Sequence, residues 1–263
     1  MLAVLPAGTV RVFEHRLLQY KRIWRGTLFN SFLTPVLFLA SMGIGLGSYV
    51  DSSGSNALAG IRYIEFLGPG LLAATAMQVG TFEATFPILG GFIWQKIFHA
   101  MHATPISPRD IALGSIGWIG FRLLTVCTVF TAVLVAFGAV RSPLIVLAIP
   151  VALLTGLAFA TFVAAFSATQ RGMTKFNYIF RFLIQPLFLF SGTFFPVEQL
   201  PAFLQPVAWL TPVFHGVALA RGLALGTAFE DPGIFVVHAA ILVAFVLVGT
   251  WLTVRTVKRR LVD

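Results

Sequence analysis

The chain has 263 residues, of which 58% are hydrophobic and 10% charged, against about 25% charged in soluble domains. This composition excludes a soluble enzyme or carrier and marks an integral membrane protein; six apolar spans and their loops use up the length, leaving no room for a second soluble domain of ordinary size. The net charge of +9 does not indicate a nucleic-acid partner, because the basic residues sit beside the ends of apolar stretches, where anionic lipid and the orientation rule account for them.

Met1 to Ala7 is apolar and is followed, not preceded, by basic residues, so it does not read as a signal peptide. Between Thr9 and Arg25, Val10, Phe13, Leu17, Tyr20 and Trp24 recur at spacings of three and four, with Arg11, His15, Arg16, Lys21 and Arg22 elsewhere on the wheel. The pattern predicts an amphipathic interfacial helix over residues 9–25. Residues 27–49 carry no charge and predict a first span, ending in the turn-rich Asp51-Ser52-Ser53-Gly54-Ser55-Asn56. A second span is predicted over 63–87, with Glu65 near one end and Glu83 near the other. Twenty helical residues separate Tyr63 from Glu83 and rise about 30 Å, which puts Glu83 at the far boundary of the hydrocarbon. Pro69 and Gly70 are expected to kink this span.

Residues 90–110 carry Trp94, Lys96, Phe98, Met101 and His102 before Thr104-Pro105-Ile106-Ser107-Pro108. The segment is too polar to span and too amphipathic for a slack loop, and predicts a short projecting helix. Further spans are predicted over 111–138, 143–168, 177–192 and 233–254. Thr155, Gly156, Ala158 and Ala160 give the fourth a small-residue face for close helix packing, and Pro150 is expected to kink it. Beyond Gly192, Pro196, Pro201, Pro206 and Pro212 forbid one continuous helix, and the apolar pieces left between them are shorter than the roughly 20 residues a crossing needs. Residues 193–226 therefore read as a re-entrant pair of half-helices that packs against other spans and closes one end of a pathway. His215 and Arg221 within it suit contact with lipid headgroups or with substrate, headgroup contact being the plainer reading. Lys and Arg gather on the side of the N-terminus, Lys96, Arg109, Arg171, Lys175 and Arg255 to Arg260; by the positive-inside rule both termini are cytoplasmic and the re-entrant segment extracytoplasmic.

No G-x-x-x-x-G-K-[ST] loop occurs, so the chain lacks a Walker A phosphate cradle and must draw energy from another subunit. No Ser/His/Asp order, H-E-x-x-H or carboxylate pair at helical spacing suggests an intramembrane enzyme. His99 and His102 are three apart, but two ligands do not close a tetrahedral site, and no metal is expected. The single cysteine, Cys127, excludes an intrachain disulfide. Arg122 lies twelve residues, about 18 Å of helix, beyond Asp110, where a charge costs roughly 2.5 to 3.5 kcal/mol. It either contacts a polar substrate group or a moving neighbour, or is a structural cation satisfied by carbonyls or by snorkelling.

Several of these stretches carry a resemblance: Phe190-Ser191-Gly192-Thr193-Phe194-Phe195-Pro196 with Gln199-Leu200-Pro201, Tyr63 to Gly70, Thr81-Phe82-Glu83, Ala103-Thr104-Pro105, Asp110 to Gly114, and Leu154 to Ala160. In order and spacing, over nearly the whole chain after Tyr20, they resemble the type-2 ABC exporter permeases, in particular the nodulation-factor exporters and the daunorubicin-type drug-efflux permeases. The resemblance implies an all-α membrane fold of six spans with an interfacial helix, a cytoplasmic coupling helix and an extracytoplasmic re-entrant hairpin. It assigns Trp94, Phe98, Met101, Thr104 and Pro105 to docking on an ATP-binding subunit. Glu83 is either part of the coupling or a boundary carboxylate paired with a nearby cation, and Phe188, Phe190, Phe194, Phe195 and Pro196 are assigned to an outer hydrophobic gate.

The chain is thus expected to be a non-enzymatic permease subunit in the bacterial cytoplasmic membrane. Its expected partners are two ATP-binding subunits, which hold ATP and Mg, a second permease subunit, identical or not, and membrane lipid. The expected cargo is a hydrophobic or amphipathic compound. The alternatives are export of a polysaccharide or lipo-oligosaccharide, or a non-transporting membrane scaffold.

Overall fold

The computed structural model describes residues 7–52 and 60–262; the expected outer loop around Ser53 to Asn56 falls outside them. The described chain is helical throughout. The helices are α1 (Ala7–Phe38), α2 (Gly47–Ser52), α3 (Tyr63–Ile93), α4 (Ile97–His102), α5 (Pro108–Ala136), α6 (Ala148–Thr169), α7 (Thr174–Ile179), α8 (Gln185–Phe190), α9 (Gln205–Trp209), α10 (Pro212–Leu225) and α11 (Pro232–Val262). Two π-helical stretches, Leu39–Leu46 and Phe180–Ile184, join α1 to α2 and α7 to α8.

Three of these segments are both long and apolar enough to cross a membrane: Pro108–Ala136, Pro143–Thr169 and Pro232–Val262. α3 is equally long, but its middle is rich in Gly, Ala and Thr because it is enclosed by other helices on nearly all sides. Apolar bulk would have no room there.

The ends of the elements follow local chemistry. Ser107 caps α5 by accepting from the Asp110 amide at 3.1 Å, and the Asp110 carboxylate accepts from the Ser107 amide at 3.3 Å, with Pro108 at the first helical position. Gly226, at φ 87°, ends α10 in the left-handed conformation a glycine adopts without penalty.

Several expected boundaries shift. The interfacial helix (9–25) and the first span (27–49) form one helical run from Ala7 to Ser52, without a break at Arg25. Phe13 packs on Trp118 and Phe121 at 6.0 and 5.8 Å, and Tyr20 on Trp118 at 5.5 Å, so this stretch lies along α5 instead of ending at an interface. The second span continues to Ile93, with Pro69 and Pro87 inside an unbroken α3; the first residues of the expected coupling segment therefore belong to α3. Pro150 lies in the first turn of α6, where an amide has no intrahelical partner to lose, and so does not kink mid-span.

The core forms where backbones approach closely. A Cβ on Gly156 would stand 2.7 Å from the Ala76 carbonyl oxygen and 2.7 Å from Leu123, so α6 presses directly on α3 and α5. Thr155, Ala158 and Ala160 on the same helix are buried, as the small-residue pattern predicts. Thr253 of α11 donates to the Thr161 carbonyl at 2.7 Å, and Ser167 of α6 to the Ala84 carbonyl at 2.8 Å. α10 is wedged among α3, α6 and α11, with Val213, Val217, Ala220 and Ala224 buried.

Gly156→Ala adds a methyl where no atom can yield cheaply. It is expected to destabilise the protein by about 1–3 kcal/mol in equilibrium unfolding from mild detergent, the usual cost of overpacking. A change smaller than the error of that measurement would mean that α6 stands further from α3 than described.

Candidate functional site

The two ends of the bundle carry different chemistry. Some three turns in from the first, where the N-terminus of α1, the C-terminus of α3 and α4 meet, Arg122 does not stand alone. Its Nε donates to Glu83 Oε1 at 3.2 Å and its Nη1 to the Tyr20 hydroxyl at 3.2 Å, with the guanidinium 5.0 Å from the Tyr20 ring centre. Side-chain exposures of 7% for Arg122 and 16% for Glu83 make this a largely desolvated pair that ties α5 to α3 and to α1. Arg122 is thus satisfied by side chains of two neighbouring helices, not by backbone carbonyls. Arg16, one turn before Tyr20, donates to the Pro87 carbonyl at 3.2 Å and lies 5.7 Å from the centre of the Phe98 ring.

The residues expected to dock a partner divide between surface and core. Trp94 is 59% exposed, and Thr104 and Pro105 are exposed. Phe98 is 1% exposed: it packs on Phe92 at 4.8 Å between ring centres and fills the space left by Gly91. Met101 is half-buried against the core. The apolar side of α4 therefore faces its own bundle. The outward side carries Trp94, His99, Ala100, Ala103, Thr104 and Pro105. Lys96, at φ 50°, makes the sharp corner between α3 and α4.

At the opposite end Glu65, 3% exposed, is held between two cations, Arg62 at 2.7 Å and Arg141 at 2.6 Å. Arg62 also donates to the Gly138 carbonyl at 2.8 Å, and the amides of Arg141 and Ser142 donate to the Ala224 carbonyl at 2.9 and 3.0 Å. One carboxylate thereby fixes the start of α3, the loop after α5 and, through that loop, the end of α10.

Beside this clamp the chain turns at Ser191 to Pro196, where Gly192 has φ 84°. A cavity of about 550 Å³ opens against the turn. Its walls are Phe38, Met42, Leu46 and Val50 from the first helical run, Tyr63 of α3, Phe188 and Leu189 of α8, and Phe194, Phe195, Pro196 and Gln199 of the turn. Phe188 and Phe194 meet edge to face at 5.3 Å, and Phe38 approaches both, at 6.1 and 6.3 Å. Four of the five expected gate residues, Phe188, Phe194, Phe195 and Pro196, thus line one cavity. Phe190 does not; it is 43% exposed and touches Phe195 from outside at 6.4 Å. The volume lies within the range of ligand pockets, about 300–1,000 Å³.

His215 and Arg221 do not point to headgroups. α10 runs between other helices, so His215 is buried and faces His238 of α11 through Nδ1, while Arg221 turns inward towards α3. No group of three or more metal-ligating side chains comes together among the described residues. The clamp and the Arg16 and Tyr20 contacts were not read from the sequence. The spacing of Arg62 and Glu65, three residues apart at a helix start, is the one local sign that pointed to the clamp.

Residues 9–225 match the family model described as ABC-2 type transporter. The chain belongs to the ABC-2 type transporter family. Along 99% of its length it is similar to Nodulation protein J of Rhizobium meliloti (strain 1021), with 28% identity over 97% of that protein. Nodulation protein J of Sinorhizobium fredii (strain NBRC 101917 / NGR234) is 29% identical over 99% of this chain and 98% of its own. The Inner membrane transport permease YadH of Escherichia coli (strain K12) is 22% identical over 79% of each chain. The type-2 ABC permease resemblance read from the motifs is therefore correct. As a member of this family the chain is a membrane-embedded transport permease.

The buried ion pair gives this permease a measurable signature. Arg122→Met leaves Glu83 without its cation and is expected to cost about 3–5 kcal/mol of stability. The double variant Arg122→Met with Glu83→Met should cost less than the sum of the single changes, because the two residues share one interaction. Strict additivity in thermal or denaturant unfolding would show that the pair is not formed.

Proposed function

We propose that this chain is the transmembrane subunit of an ATP-driven exporter in a bacterial cytoplasmic membrane. Two such subunits, identical or different, would work above two ATP-binding subunits that carry ATP and Mg. Six crossings, both termini in the cytoplasm and the turn at Ser191 to Pro196 on the outer side are the topology that fits the distribution of Lys and Arg. The cargo is a hydrophobic or amphipathic compound.

The observation that carries this reading is the cavity beside the turn. Of its lining residues only Tyr63 and Gln199 have polar side chains, so it suits an acyl chain or an aromatic body better than a bare saccharide. The same lining favours a second reading, export of a lipo-oligosaccharide whose acyl part occupies the cavity. The full-length similarity to two Nodulation protein J sequences supports an exporter of this general design. Rings that pack at the turn exclude water when together and admit cargo when parted.

Energy would enter at the other end. The exposed Trp94, with Thr104 and Pro105, forms the docking face, and Phe98 is the peg that carries a push on α4 into the bundle. Phe98 touches Phe92, and both rings lie beneath cations: Arg16 over Phe98, and Arg260 over Phe92 at 4.3 Å. A displacement of α4 is therefore shared by α1, α3 and α11. ATP binding can drive transport this way only if the ATP-binding subunits prefer one arrangement of these helices.

Trp94→Ala is expected to weaken co-purification with the ATP-binding subunit by about 2 kcal/mol, roughly thirtyfold in Kd, the size of an interface hot spot. Unchanged assembly and unchanged stimulation of ATP hydrolysis would remove α4 from the docking role. At the other end, Phe194→Ala with Phe195→Ala should insert and bind its partner normally, yet lose cargo-dependent export or raise basal ATP hydrolysis. An alanine pair exporting at the wild-type rate would show that these rings only fill space.

A further inference from the structure

We propose that Arg221 is the latch of the outer gate, a positioning residue that holds the Ser191 to Phe194 turn closed against α3; the inference rests on the reading of that turn as a gate. Arg221 sits on α10 with its guanidinium directed away from its own helix. Nη2 donates to the Gly192 carbonyl at 2.7 Å, Nε to the Phe66 carbonyl at 3.2 Å, and the guanidinium carbon lies 3.7 Å from the centre of the Phe66 ring. The ion pairs among the described residues are Arg62 with Glu65, Arg122 with Glu83 and Arg141 with Glu65. Arg221 is in none of them. In direct contact its charge is met by two carbonyls and a ring face, one carbonyl being that of the glycine at the centre of the turn, with the Glu198 carboxylate acting at longer range.

The surroundings are built for this contact. Gly192 needs its left-handed backbone, at φ 84°, to turn its carbonyl to α10. Gly70 on α3 leaves the gap: a Cβ there would stand 3.0 Å from Arg221 Nη2 and 3.2 Å from both the Thr193 Cα and its carbonyl oxygen. The turn is pinned again two residues on, where the Tyr63 hydroxyl donates to the Phe194 carbonyl at 3.3 Å. Two donors outside the turn, Arg221 of α10 and Tyr63 of α3, thus hold two carbonyls of the turn, and Phe194 is also a wall of the cavity.

A packing role alone does not explain a cation here. Methionine or leucine would fill the slot without the cost of burying a charge that no carboxylate contacts directly, Glu198 acting on it only at longer range. What arginine adds is a pair of charge-assisted bonds to backbone that can break and form again. When the turn moves, water can take the place of the Gly192 carbonyl at the freed guanidinium.

The test reads whether the turn opens, separately from export. Ser191 is fully buried, and Ser191→Cys in a Cys127→Ala background supplies a near-isosteric thiol that a bulky maleimide reaches only when the turn parts. The permease is reconstituted with its ATP-binding subunit in nanodiscs, where both faces are open to the reagent. Adding Arg221→Met is expected to raise the labelling rate about tenfold, equivalent to about 1.4 kcal/mol. Arg221→Lys, which keeps the charge but not the two-pronged donor, should restore only a minor part of the protection. An unchanged rate overturns the latch. So does labelling of the native Cys127, which is buried on α5, by Arg221→Met in the otherwise natural chain, since that would mean general loosening. If Arg221→Met fails to assemble, Tyr63→Phe removes only the second pin and should raise the rate by a smaller factor; no rise there also overturns the proposal. Increased labelling together with undiminished export by the Phe194 and Phe195 alanine pair would keep the latch and reject the gate.

Discussion

The structure depends on the near-contact of two helix backbones, α3 and α6, at Gly80 and Gly156. A side chain at either position would strike the carbonyl of the opposite helix. Between apolar helices in lipid there is no hydrophobic force to draw them together, so close backbone approach and dispersion must do it. Once the two helices meet this tightly, the space left beside them is narrow and fixed in shape. α10 enters it with Gly216 against Thr155, and α11 closes it with Gly249 against Thr161. α10 is thereby enclosed by its neighbours along most of its length.

On this frame the charged residues act as ties between elements. Glu65 binds Arg62 and Arg141 across a separation of 76 residues in the latter case, and Glu83 binds Arg122 across 39. Each pair is costly to desolvate and would gain little over apolar packing in stability alone. Each also fixes the register of helices whose other contacts are smooth and small. The basic end is tied through Arg16, Tyr20 and Arg122, and the other through Glu65, so a motion that keeps these ties must pass between them.

The sequence was legible where a local rule decides. Composition gave the class, and the run of prolines after Gly192 the end of α8 and the short helices beyond. It failed where a distant partner decides. Gly26 reads as a break after a basic stretch, yet one glycine costs a helix only about 1 kcal/mol, and the run continues through it. The apolar stripe at Trp94, Phe98 and Met101 was visible, but a stripe does not say whether it faces the chain's own bundle or a partner. Phe98 lies on Phe92, brought there by the corner at Lys96, a residue type that seldom adopts a positive φ. Arg221 read as a headgroup contact because the depth of α10 follows from packing on α3 and α6, not from its own pattern.

The two halves of the molecule differ in how their helices are made. α3, α5, α6, α10 and α11 are regular; α3, α5, α6 and α10 are largely buried among one another, and α11 covers them with one face. The helical runs that wall the cavity from the other side, Ala7 to Ser52 and Thr174 to Phe190, each contain a π-helical stretch, at Leu39–Leu46 and Phe180–Ile184. A π turn widens the helix and sacrifices regular bonding, and such turns gather at functional sites. Each stretch adjoins cavity residues, Met42 and Leu46 in one run and Phe188 and Leu189 in the other. The exposed rings Phe182 and Tyr178 also lie on the second run. A regular helix cannot change its twist without breaking bonds along its length, whereas one with a wide turn can shift locally. The cavity thus has one rigid wall, anchored through Tyr63 to the clamp at Glu65, and two adaptable ones. A site with that construction can vary in width on one side while the α3 side stays still.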